Sequence, residues 1–100
     1  MLKTPIHKLT LRKIHLKVNI LYFAKLREAV GVDTETIELN DNLKVSDLLK
    51  LLQDRGEQWS EYFNDKKNLL RVAINQKIVD SDFLISDGDE IAIFPPVTGG

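Results

Sequence analysis

The residues with the most evident chemistry are the last six, Pro95-Pro96-Val97-Thr98-Gly99-Gly100. The terminal carboxylate belongs to a glycine that follows a glycine. Neither residue has a Cβ, so this end is thin and free to adopt backbone angles closed to other residues. Such a tip can thread a narrow channel and present its carboxylate to another protein. Pro95-Pro96 is stiff and projects the tip away from the body. A rigid base, a flexible tip and an activatable end form the layout of a group carrier. A carboxylate must be activated before it reacts, and activation by a nucleotide needs a phosphate cradle. The chain has neither GxxxxGK[ST] nor GxGxxG, so activation is expected from a separate protein.

Other chemistries are poorly served. With no cysteine there is no thiol nucleophile, no thiolate metal site and no disulfide. His7 and His15 have no third ligand nearby and read as surface residues, so no metal site is expected. No nucleophile–base pair and no carboxylate pair in a defined cleft is legible. Asp80, Asp82, Asp87, Asp89 and Glu90 read as solvated turn residues. The chain is expected to have no catalytic site of its own and to bind no cofactor.

The elements that must position the tail follow from periodicity. Residues 14–23 alternate and then become apolar on both sides, which predicts a first strand. Leu16, Val18, Ile20 and Tyr22 share one face, and Leu21 and Phe23 the other. A short helix over 24–30 ends at Gly31. Residues 34–39 form a second strand, a hairpin partner of the first. The main helix spans 45–55, with Val45, Leu48, Leu49 and Leu52 on one stripe. Gly56 stops it, and Asp47 and Arg55 suit its dipole. Lys44, just before it, has no side-chain acceptor, so Asn42 or Ser46 is expected to cap the helix. A further helical piece runs from Gln58 to Phe63, with Trp59, Tyr62 and Phe63 covering the core. Strands follow at 69–74, 77–79 and 90–94, the last entered through a turn at Ser86-Asp87-Gly88-Asp89. Pro95-Pro96 ends the pairing because proline offers no N–H.

This order predicts an α+β domain: a mixed sheet with one main helix on one face. The opposite face should be polar. Alternation instead puts Leu21, Phe23, Ala73, Ala92 and Phe94 there, with Arg71 among them, which makes that face a candidate contact patch.

The chain has 100 residues and a net charge of −1, with 14 basic and 15 acidic residues. That length supports a single domain. Residues 1–16 hold four of the bases and no acid, leaving residues 17–100 at −5. We read 1–16 as a basic N-terminal extension and 17–100 as the domain. The extension lacks the apolar run and small-residue cleavage site of a secretory signal. Nothing in the charge points to nucleic acid. No apolar run has the roughly 18 residues that would cross a bilayer. A cytoplasmic protein is expected.

Two segments are specific. Val18-Asn19-Ile20-Leu21-Tyr22-Phe23-Ala24-Lys25-Leu26-Arg27-Glu28 and the stretch from Asp87-Gly88-Asp89-Glu90 to Phe94-Pro95-Pro96-Val97-Thr98-Gly99-Gly100 resemble the two ends of the small, sulfur-carrier subunit of molybdopterin synthase, the MoaD family. The resemblance implies the ubiquitin-like β-grasp fold. It implies that a ubiquitin-activating-type adenylyltransferase uses ATP to adenylate the Gly100 carboxylate, which a sulfur donor converts to a thiocarboxylate. The tail, Pro95 to Gly99, would then enter the large synthase subunit and deliver sulfur to cyclic pyranopterin monophosphate. The implied assembly is a heterotetramer of two small and two large subunits. Leu21, Phe23 and Phe94 would form part of the partner surface, with Arg27 and Ile78 at matching family positions. A sulfur carrier for thiamin or tRNA thiolation, a ubiquitin-like modifier attached to lysines, and a plain interaction module are the alternatives.

Overall fold

The structure, a computed structural model, describes residues 15–64 and 70–95. Along the chain these form β1 (His15–Tyr22), α1 (Ala24–Val30), β2 (Thr34–Asn40), α2 (Val45–Gln53), α3 (Glu57–Tyr62), β3 (Arg71–Ile74), β4 (Lys77–Val79) and β5 (Glu90–Phe94). Two residues counted above with the extension, His15 and Leu16, open β1, and Leu16 is buried. Residues 1–14, the start of the third predicted strand at Leu69, and the tail from Pro96 to Gly100 lie outside the described residues.

The sheet order is β2-β1-β5-β3-β4. β1 pairs with β2 and β5 with β3 antiparallel, while β1 and β5 run parallel at the centre. The sheet is therefore mixed, as expected. Its inner face carries Leu16, Val18, Ile20 and Tyr22 from β1, Val72 and Ile74 from β3, and Ile91 and Ile93 from β5, all buried. Val45, Leu48 and Leu52 of α2 pack onto them, with Leu26 and Phe63 closing the ends. The predicted helical stripe is the buried one. Tyr62 is the exception among the three aromatics of that segment: Phe63 is buried and Trp59 packs against the core, but Tyr62 is exposed.

The ends of α2 differ from expectation. The helix stops at Gln53, not Arg55, and Gly56 begins α3 instead of terminating α2. Neither Asn42 nor Ser46 caps its start. The Asp47 carboxylate accepts the Lys44 N–H at 3.0 Å. The Val45 and Ser46 N–H groups donate to the carbonyls of Phe83 and Ser81, both at 3.0 Å. A loop distant in sequence thus satisfies donors that a threonine or serine side chain would otherwise take.

Arg55 is released from the helix end for a tertiary role. It donates to Glu35 Oε2 at 2.7 Å, and the Tyr22 hydroxyl donates to the same oxygen at 2.6 Å. The guanidinium lies 4.7 Å from the centre of the Trp59 ring, a cation–π geometry. Tyr22 meets Trp59 and Phe63 edge-on. Burial, reinforced by Glu35, pushes the Tyr22 phenol far above its ordinary value, so it stays a neutral donor. Burial also pushes Glu35 up, but the hydrogen bonds from Arg55 and Tyr22 and the guanidinium charge outweigh it and hold the carboxyl below its usual value. A depressed folded pKa contributes stability that is present above the unfolded value and lost as pH falls through the folded one. Chemical denaturation should therefore show a stability gap between the wild type and Glu35→Gln near neutral pH. That gap should narrow as pH drops from about 6 to about 3.

Candidate functional site

The outer face of the sheet can be built row by row from the strand register. One row runs Thr34–Leu21–Ala92–Ala73–Ile78, each residue opposite the next on the neighbouring strand. In the next row Arg71 is opposite Phe94. The Phe23 N–H donates to the Ile93 carbonyl at 3.2 Å, which sets Phe23 beside the end of β5. Toward the opposite end the face turns polar. Asn19 stands opposite Thr36 and Glu90, and its Oδ1 receives the hydroxyls of Thr34 and Thr36, each at 3.3 Å.

The face is thus divided in two, and its apolar half borders Pro95, where the tail leaves the sheet. Phe23 is 42% and Ile78 59% exposed. Ala73 is 8% exposed despite facing away from the core, because a methyl group lies low between larger neighbours. Leu21, Phe23, Ile78 and Phe94 therefore come together on one surface at the tail root. Arg27 is one helical turn from Phe23, whose carbonyl accepts the Arg27 N–H at 3.3 Å. It is exposed on α1, which packs against α3. Of the tail residues only Pro95 is described; Pro96, Val97, Thr98, Gly99 and Gly100 are not.

A polar clamp holds β5 in place at its start. The Asp87 carboxylate accepts the Lys17 N–H at 2.7 Å, and the Gly88 N–H donates to the Lys17 carbonyl at 2.9 Å. Gly88 has a φ of +85°, where a side chain would be strained. Asp89 is not a solvated turn acid: it is 7% exposed. Its carboxylate accepts the Ser86 N–H at 2.8 Å and the Asn75 side-chain amide at 2.9 Å. The Asn75 side-chain oxygen in turn accepts the Glu90 N–H at 3.0 Å. Asn75 and Gln76 form the two-residue turn between β3 and β4, both with positive φ, the conformation tight hairpins favour. Asn75 escaped the sequence reading. Its signal was an Asn at the start of a two-residue loop between two apolar segments.

Among the described residues, no group of three or more His, Cys, Asp or Glu side chains is gathered as a metal site would need. The histidine that is described, His15, lies 3.6 Å from Glu38 on the surface. No helix among them is long and apolar enough to cross a membrane. What the face can do is bind: an apolar patch of aromatic and aliphatic side chains that reaches Pro95, the last described residue.

Comparison with known proteins bears on this arrangement. The family model described as the ThiS family matches residues 20–100. The molybdopterin synthase sulfur carrier subunit of Haemophilus influenzae is 40% identical over 84 residues, spanning 83% of this chain and 99% of that protein. A solved Pyrococcus furiosus structure, described as molybdopterin converting factor subunit 1, superposes with a TM-score of 0.69 at 35% identity, over 82% of this chain and 99% of the other. The small archaeal modifier SAMP1 of Haloferax volcanii gives 0.69 at 28% identity, covering 84% and 99%. A Helicobacter pylori complex of subunits 1 and 2 of molybdopterin-converting factor matches with a TM-score of 0.57 at 26% identity, over 85% and 100%. A ubiquitin from Caldiarchaeum subterraneum, at 14% identity and 0.53, shows the shared fold alone: the ubiquitin-like β-grasp.

Proposed function

We propose a function on the premise that this chain belongs to the ThiS family and, within it, to the molybdopterin synthase sulfur carriers: it carries sulfur to the large synthase subunit in molybdenum cofactor biosynthesis. The observation that carries the reading is the apolar half-face at the tail root, built from Leu21, Phe23, Phe94 and Ile78. A patch of that kind seats a partner, and the chain continues from its border at Pro95 into the Gly-Gly end. The Helicobacter pylori complex of two subunits supports a large-subunit partner.

The chemistry follows from the chain end. The Gly100 carboxylate attacks the α-phosphorus of ATP in a separate adenylyltransferase, and pyrophosphate leaves. Hydrosulfide, supplied by a sulfur donor, then attacks the acyl carbon and AMP leaves, which yields a thiocarboxylate. In the large subunit that sulfur adds to cyclic pyranopterin monophosphate, and water restores the Gly100 carboxylate. Two such deliveries make one dithiolene. The tail from Pro95 to Gly99 is the arm, and Arg27 is a further partner contact. This chain binds no cofactor, since ATP is consumed in the activating protein, and the process is cytoplasmic.

Complementation separates the carrier roles. A bacterium deleted for its small synthase subunit should regain molybdoenzyme activity when given this chain. A thiamin auxotroph lacking its own carrier should not recover. The reverse pattern would assign the chain to thiamin. A modifier role is favoured by the likeness to SAMP1. It predicts isopeptide-linked Gly-Gly remnants on lysines of cellular proteins, and the synthase reading predicts their absence.

A further inference from the structure

Among the described residues, Arg71 is the one cation in the apolar half-face at the tail root, and the molybdopterin synthase reading does not use it. It stands opposite Phe94 on β3, which lies between β5 and β4 and not at a sheet edge. It is exposed and forms no ion pair among the described residues. Asp80, one residue beyond the antiparallel Val72–Val79 pair, stands across from Arg71, yet no ion pair within 4.0 Å joins the two. Its carboxylate is engaged with the Asp82 N–H at 3.0 Å. Glu90 shares the face but sits four residues from Phe94 along β5, about 13 Å away.

An unpaired guanidinium costs nothing in water. Covering it does: a charge taken out of solvent without a counter-charge is strongly unfavourable. A partner that buries Phe23, Phe94 and Ile78 surrounds Arg71, because Arg71 lies between them and not outside them. Arg71 belongs to β3 inside the sheet, whereas the reacting carboxyl belongs to Gly100, five residues beyond Pro95. Arg71 is therefore placed to read the partner and not the reaction.

We propose that the large synthase subunit, docking on this half-face, presents an acidic side chain or a chain-terminal carboxylate that pairs with Arg71. The inference rests on the synthase reading above and adds to it the chemistry of the partner's contact. Since residues 17–100 are net negative, one cation inside an apolar patch also sets orientation: an acidic group meets attraction at this point and repulsion from most of the body.

The test measures binding of the large subunit encoded in the same genome to wild type, Arg71→Lys, Arg71→Met and Arg71→Glu, at low and at high salt. All four should have similar thermal midpoints, because Arg71 is exposed and unpaired. Arg71→Met should weaken binding about tenfold and Arg71→Glu about thirtyfold or more at low salt, with Arg71→Lys within a few-fold of wild type. The Arg71→Glu deficit should shrink at high salt. Wild-type binding with Arg71→Glu and Arg71→Met both within twofold of it overturns the assignment of Arg71 and leaves the synthase reading standing. Failure of the wild type to bind overturns that reading itself.

Discussion

Removing Gly99 and Gly100 is expected to abolish molybdopterin formation while leaving the fold intact. The stability of the domain resides elsewhere. Among the described residues, every core residue lies between Leu16 and Ile93, and the last strand ends at Phe94. Loss of two terminal residues beyond that strand should change unfolding free energy by less than about 0.5 kcal/mol. The effect on chemistry should be categorical. The carboxyl carbon that would carry sulfur is gone, and with it the thin segment that reaches the acceptor. We expect product formation to fall by at least about a thousandfold, to background. Binding to the large subunit should persist in part, since Leu21, Phe23, Phe94 and Ile78 remain. An interaction module would behave oppositely and keep full function. Assay of molybdopterin formation with purified large subunit and precursor, alongside thermal denaturation, distinguishes the two.

The second large effect is on stability. Asp89→Ala should destabilise the domain by about 3 kcal/mol, because it removes a buried carboxylate and with it two partly buried charge-assisted hydrogen bonds, from the Ser86 N–H and the Asn75 amide. An orphaned Asn75 would also lose its hold on the Glu90 N–H at the first residue of β5. Asp87→Ala is the matched control. It loses one exposed hydrogen bond, to the Lys17 N–H, and should cost about 0.5–1 kcal/mol. Urea denaturation of both variants gives the comparison. Equal effects would mean that the acids of this turn are interchangeable surface charges. Since β5 leads directly into the tail, Asp89→Ala is also expected to lower binding to the large subunit at temperatures where the domain is still mostly folded.

The contrast between these two acids marks how far the sequence could be read. Alternation in β1 and β5 and the helical stripe of α2 are local signals, and they placed the core and the apolar outer face correctly. Phe23 and Phe94 follow from alternation alone. What stayed hidden depends on contacts between distant segments. Asp87 and Asp89 look alike in a Ser-Asp-Gly-Asp turn, and only the arrival of Asn75, 14 residues away, makes Asp89 an interior acceptor. Arg55 looks like a helix-ending cation until Glu35, 20 residues earlier, claims it. The start of α2 lacks a capping side chain because the carbonyls of Ser81 and Phe83 supply what a cap would. The tail was recognised by composition and by its likeness to a family, and its Pro96–Gly100 portion is outside the described residues.

A sulfur-carrying Gly100 carboxyl would be visible in the mass of the chain. Intact-mass spectrometry after incubation with ATP, the adenylyltransferase and a sulfide source tests it most directly. The expected result is a gain equal to the replacement of one oxygen by sulfur, localised to the C-terminal peptide and absent when ATP is omitted. An unchanged mass, with Gly100 intact and the adenylyltransferase shown to be active on its own carrier, would contradict the sulfur-carrier reading.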